Sequence, residues 1–227
     1  MQRKKKILIW SASILCGLIL GPPAAQATLI TINIEGMVDL VGDPHGYLGG
    51  TISIGDAIMG TYTYDSDTPD QDWLWGSPSD IVGRYHYFSP PYGITLRVGD
   101  FVFQTDPSNT EFLLSVVNNN QSGEDIYCLN SYNNLPLSDG TFVGGISWEI
   151  RDYTGTAFSS DALPATAPVL DDWQFNRLDF GGGVLGQAFG VIGHITSATV
   201  IPEPATVILV GMGGFLLSWQ RQIWYNR

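Results

Sequence analysis

Apolar and polar residues alternate in short runs along most of the chain between residues 28 and 200, with Gly, Pro, Asn and Asp between the runs. Nine segments carry the pattern: TLITINIEG, AIMGTYTYD, GRYHYF, GITLRVG, EFLLSVVN, DIYCLN, TFVGGISWEIRD, WQFNRLDF and GQAFGVIGHITSATV. A period of two, rich in β-branched and aromatic residues, marks half-buried strands. It places Tyr62 with Tyr64, and Tyr85 with Tyr87, on one face of a sheet. No window in this region sustains apolar spacing of three and four, so few helices are expected. With polar loops such as DSDTPDQDWLWGSPSD and DALPATAPVLDD between the strands, the pattern predicts one all-β domain of β-sandwich or jelly-roll type.

Both ends break the alternation. Arg3 and Lys4 to Lys6 precede an apolar run of fourteen residues, Ile7 to Leu20, and Ala25-Gln26-Ala27 has the small-x-small form that signal peptidase accepts. The run is short of the roughly 20 residues a spanning helix needs, so residues 1–27 are read as a signal helix cut after Ala27. At the other end, Ala205 to Trp219 is a second apolar run, of fifteen residues. At about 1.5 Å per residue it covers roughly 22 Å of a bilayer core of about 30 Å, enough for a weak transmembrane helix. Arg221 and Arg227 beyond it place the C-terminus in the cytoplasm and the body on the far side of the membrane. The chain thus divides into a signal peptide (1–27), an exported domain (28–200) and a C-terminal segment (201–227).

Removing the signal changes the charge. The body holds four arginines (Arg84, Arg97, Arg151 and Arg177), no lysine and twenty-one Asp and Glu, and so carries −17. Such a field repels nucleic acid and anionic lipid and suits cations or neutral polymers. Cys128 is the one cysteine of the body, which excludes an intramolecular disulfide and leaves a buried, inert thiol as the expectation.

Four carboxylates, Asp65, Asp67, Asp70 and Asp72, follow one predicted strand within eight residues. Hard oxygen donors in a loop are what Ca²⁺ takes, but Pro69 stands fifth and no Gly stands sixth, unlike an EF-hand; a solvated acidic turn is the other reading. Trp73 and Trp75 beside them are candidate carbohydrate contacts by stacking, or ordinary core residues. No other cofactor is expected. GGGVLG at 181–186 fits G-x-G-x-x-G, but the segment after it reads as strand where a dinucleotide site needs a helix. No nucleophile elbow or H-E-x-x-H is present. No catalytic residue is therefore assigned and no enzyme is expected; paired carboxylates for glycan hydrolysis would meet only in the fold. Asn120-Gln121-Ser122 is a formal glycosylation sequon in a polar loop.

Pro202-Glu203-Pro204, then Ala205 and an apolar stretch with Gly211, Gly213 and Gly214, then a basic end, resembles the PEP-CTERM sorting signal of Gram-negative bacteria over 26 residues. The resemblance implies a substrate of exosortase, a membrane protease. Such a chain is held transiently in the inner membrane, processed near the triplet, and delivered to the cell surface or an extracellular polysaccharide matrix. GDAIMGTYTYDSDTPD is similar to a strand-and-turn segment of exported bodies with this tail, which implies a β-sandwich. The physics is consistent: the prolines lack amide donors, and Pro204 holds Glu203 extended at the outer face. A structural or adhesive role in a biofilm or exopolysaccharide matrix is expected. The alternatives are a carbohydrate- or Ca²⁺-binding β-sandwich module and a secreted glycan hydrolase.

Overall fold

A computed structural model of the protein describes residues 29–71, 81–184 and 186–202. Its strands are β1 (Leu29–Gly42), β2 (Ala57–Asp65), β3 (Val82–Tyr87), β4 (Gly93–Val98), β5 (Phe101–Gln104), β6 (Phe112–Val117), β7 (Asp125–Ser131), β8 (Val143–Asp152), β9 (Phe175–Val184) and β10 (Gln187–Ile201). All pair antiparallel in one sheet of order β3-β6-β7-β8-β9-β10-β1-β2-β4-β5. The all-β expectation holds, with one strand more than the nine expected. The added strand, β5, is four residues long and follows the two-residue turn Gly99-Asp100. Among the described residues a 3₁₀ turn at Leu170–Asp172 is the one named helical element, and no helix is long and apolar enough to cross a membrane. The signal helix expected in 1–27 and the helix expected at 205–219 lie outside the described residues.

Alternation fixes which face each strand buries. Ile30, Ile32 and Ile34 point inward from β1, while Thr31, Asn33 and Glu35 lie between them on the other face. Two bulges then adjust the β1–β10 ladder. Thr196 is the extra residue on β10 between the pairs Glu35↔Ser197 and Gly36↔Ile195, and Asp39 is the extra residue on β1 between Val38↔Gly193 and Leu40↔Ile192. The second bulge flips the phase: Val38 is buried, Asp39 and Leu40 both face out, and Val41 packs against the core.

The sheet curls so that its two halves face each other in a sandwich-like arrangement. Trp148 on β8 meets Tyr62 on β2 edge-on, with ring centroids 6.0 Å apart. Phe103 on β5 packs on Phe180 of β9 at 4.6 Å. The inward tyrosines anchor loops with their hydroxyls: Tyr64 donates to Pro164 O (2.6 Å), Tyr85 to Asp161 O (2.9 Å) and Tyr87 to Asp65 O (3.0 Å). Burying each large side chain contributes about 1.5–3 kcal/mol.

Both edges of the sheet are covered by the chain itself. On β3, Gln71 N donates to Arg84 O, and Arg84 N donates to the Asp70 carboxylate at 2.9 Å. On β5, Leu135 N donates to Gln104 O, and Thr105 bridges Asn134. Exposed edges invite pairing with other chains, and these contacts occupy part of each.

Candidate functional site

A trough of about 540 Å³ lies on the outer face of the sheet, crossing β7, β8, β9, β10 and β1. It arises from register. Gly42 pairs with Gly190, Gly190 with Gly181, and Gly181 with Gly145. Four glycines thus stand side by side on four neighbouring strands. One row along, Leu40, Ile192, Asp179, Ser147 and Asn130 are likewise in register and form a wall, and Tyr132, 47% exposed, also lines the trough. With strands about 4.8 Å apart, five of them give a length of about 19 Å.

Packing explains one of the four glycines. A Cβ on Gly181 would lie 2.6 Å from Phe189 O, closer than contact allows. A Cβ on Gly42 or Gly145 would meet its nearest atom at 3.8 or 3.9 Å, and one on Gly190 would meet nothing within 4 Å. Gly in a strand interior is destabilising by roughly 0.5–1 kcal/mol relative to Ala, so these three weaken the sheet where space does not require them. Their effect is an open floor.

The wall is amphipathic. Asp179 is gripped in bidentate fashion by Arg177, at 2.6 and 2.8 Å, and is the one carboxylate among the described lining residues. Asn130 Nδ2 donates to Cys128 Sγ at 3.2 Å. Burial pushes the Cys128 thiol up, the Asn130 contact offsetting part of the effect, so the thiol stays protonated and weakly nucleophilic. An aromatic ring, an apolar floor and a line of hydroxyl, amide and carboxylate groups thus lie along one surface.

Of the Ca²⁺ candidates, Asp65 Oδ1 accepts from Asp67 N (3.0 Å), and Asp70 accepts from Arg84 N on the β3 edge. These carboxylates serve a turn and an edge, and among the described residues no group of three or more His, Cys, Asp or Glu is placed to hold a metal. Asp72, Trp73 and Trp75 lie outside the described residues, as do Ala25, Ala27, Glu203, Pro204, Ala205, Trp219, Arg221 and Arg227. Pro202 is exposed and follows directly on β10.

The glycines of 181–186 belong to β9 and its hairpin into β10, so a strand stands where a dinucleotide site needs a helix. Tyr62 shares a face with Tyr64, and Tyr85 with Tyr87, as the alternation predicts, and that face is the core. His45, His86 and His194 sit on separate elements, His194 contacting Asp39 at 2.8 Å. The Asn120 side chain closes its own loop, accepting from Ser122 N and Glu124 N.

The trough was hidden from sequence reading because its glycines are scattered from 42 to 190. The available signal was glycine at outward positions of otherwise regular strands. No family model, curated protein or solved structure matches the chain.

Proposed function

We propose that this is an exported surface or matrix protein. Signal peptidase releases it after Ala27, a weak helix from Ala205 to Trp219 holds it in the inner membrane, and exosortase processes it at Pro202-Glu203-Pro204. The observation that carries this reading is where the body stops. β1 begins at Leu29, two residues past the signal cut, and β10 ends at Ile201, one residue before the triplet. The described sheet, from Leu29 to Ile201, lies within the interval between the two addresses.

At its destination the body acts structurally, in an extracellular polysaccharide matrix. The trough favours one refinement, a contact with neutral glycan along Tyr132, Asn130, Ser147 and Asp179, which the charge of −17 directs away from anionic polymers. A hydrolase would need a second carboxyl group across the trough from Asp179.

Intact mass of the mature protein, from hosts with and without exosortase, tests the sorting reading. A C-terminus shortened to the region of the triplet only in the first host is expected. Retention of Arg227 in both would overturn it.

A further inference from the structure

In the β1–β10 ladder Thr31 faces Ile201 and Ile32 faces Val200, and the next residue is Pro202. A protease takes its substrate as an extended peptide through backbone hydrogen bonds. Residues paired to β1 cannot enter such a cleft at the same time, so the folded sheet and the processing enzyme compete for the same stretch of chain.

The way β10 is held resolves the competition. Phe189, Val191 and Ile195 are 3%, 1% and 2% exposed and fasten the strand to the core. From Thr196 to Ile201 no residue is fully buried, half-buried Ala198 being the one that packs against the core, and Val200 and Ile201 are exposed. Backbone pairing with β9 has also ended, its last rung being Leu178↔Gly193. The Asn176 side chain takes over: Nδ2 donates to Ile195 O at 2.6 Å, and Oδ1 accepts from Ile195 N at 3.2 Å. Trp148 Nε1 fixes that amide at 3.0 Å. Just past this clamp comes the Thr196 bulge. Six residues therefore lie beyond the last fully buried side chain, held to the core by Ala198 alone and paired among the described strands with β1 alone.

We propose that Thr196–Ile201 is a releasable strand. It peels from β1, hinging where Asn176 holds Ile195, and presents the peptide leading into Pro202 to a membrane-set protease while the core stays folded. At about 3.3 Å per residue the freed segment reaches about 20 Å. The identity of the protease rests on the sorting reading; the release does not.

Two measurements test it. Hydrogen exchange on the full chain in detergent micelles should show the Val200 and Ile201 amides exchanging at least about 100-fold faster than those of Val191 and Ile195, as for opening below the global transition. Equal protection overturns the release. In an exosortase host, with Cys128→Ser as background, a Thr31→Cys/Ile201→Cys pair bridges directly opposed positions, where Cβ spacing suits a disulfide. The oxidised chain should keep its C-terminus through Arg227, whereas a Met37→Cys/His194→Cys bridge on the core side of the clamp should be processed like the wild type. Processing of the 31–201 bridged chain at the wild-type rate overturns the proposal. A wild-type chain left whole in that host overturns the sorting reading and the protease assignment with it, and leaves the exchange result to decide the release alone.

Discussion

Tyr127 donates its hydroxyl to the Tyr62 hydroxyl at 3.2 Å across the interior of the curled sheet, joining β7 to β2. Both rings are about 1% exposed and both lie edge-on to Trp148. Tyr127→Phe leaves the Tyr62 hydroxyl buried without this partner, an expected loss of about 1–3 kcal/mol. Tyr62→Phe/Tyr127→Phe should lose less than the sum of the single variants, because neither polar group then remains to be satisfied. Urea unfolding of all three measures the difference.

The same cluster sets an alkaline limit. Burial holds the Tyr87 proton up to about 12, and it raises Tyr62, Tyr64, Tyr85 and Tyr127 above the ordinary value of 10 as well. The unfolded chain releases these protons near pH 10 and the folded chain keeps them. Stability is therefore fully present below pH 10 and falls as pH rises from 10 through 12. Tyrosinate absorbance and circular dichroism should change together, in one step. Ionisation of these tyrosines with the sheet intact would contradict the assignment.

Gly190→Val separates binding from stability in the trough. Its Cβ meets open space, and Val suits a strand better than Gly, so unfolding should show stability unchanged or raised by about 0.5–1 kcal/mol. Retention on a neutral matrix polysaccharide should drop at least about tenfold, a loss of about 1.4 kcal/mol. Undiminished retention would remove the trough from the function.

Asn176→Ala takes away the bonds to Ile195 N and O and the acceptor for Trp148 Nε1. A loss of about 2–3 kcal/mol is expected in thermal or urea unfolding, without loss of the all-β circular dichroism signature.

Cys128 lies on the outward row of β7, half-buried and with its thiol raised by burial. A thiol reagent at neutral pH should label it slowly in the folded chain and at least about tenfold faster in denaturant. Equal rates would place the thiol in a more open setting.

Much of the fold was legible because its strands obey a period of two. TYTYD and RYHYF announce two tyrosine pairs that each share a face, and in the fold that face is the inward one. β5 escaped because FVFQ is too short to show alternation, although Gly99-Asp100 before it is a hairpin turn. Asp70 stands out in the sequence as a candidate Ca²⁺ ligand because its neighbours are acids, whereas its hydrogen bond to the Arg84 amide, fourteen residues away, shows only in the fold. The trough was illegible for the same reason. Gly42, Gly145, Gly181 and Gly190 are unremarkable one by one, and only cross-strand register lines them up.

Strand β10 sits between β9 and β1, the innermost strands of the two halves of the sheet, and it is the last of the described strands. A nascent polypeptide that has emerged only as far as Val184 has every other strand yet lacks the seam between the halves. Completion of the domain thus waits on nearly the last residues before the triplet. Closure of the seam requires the chain to be available as far as Ile201.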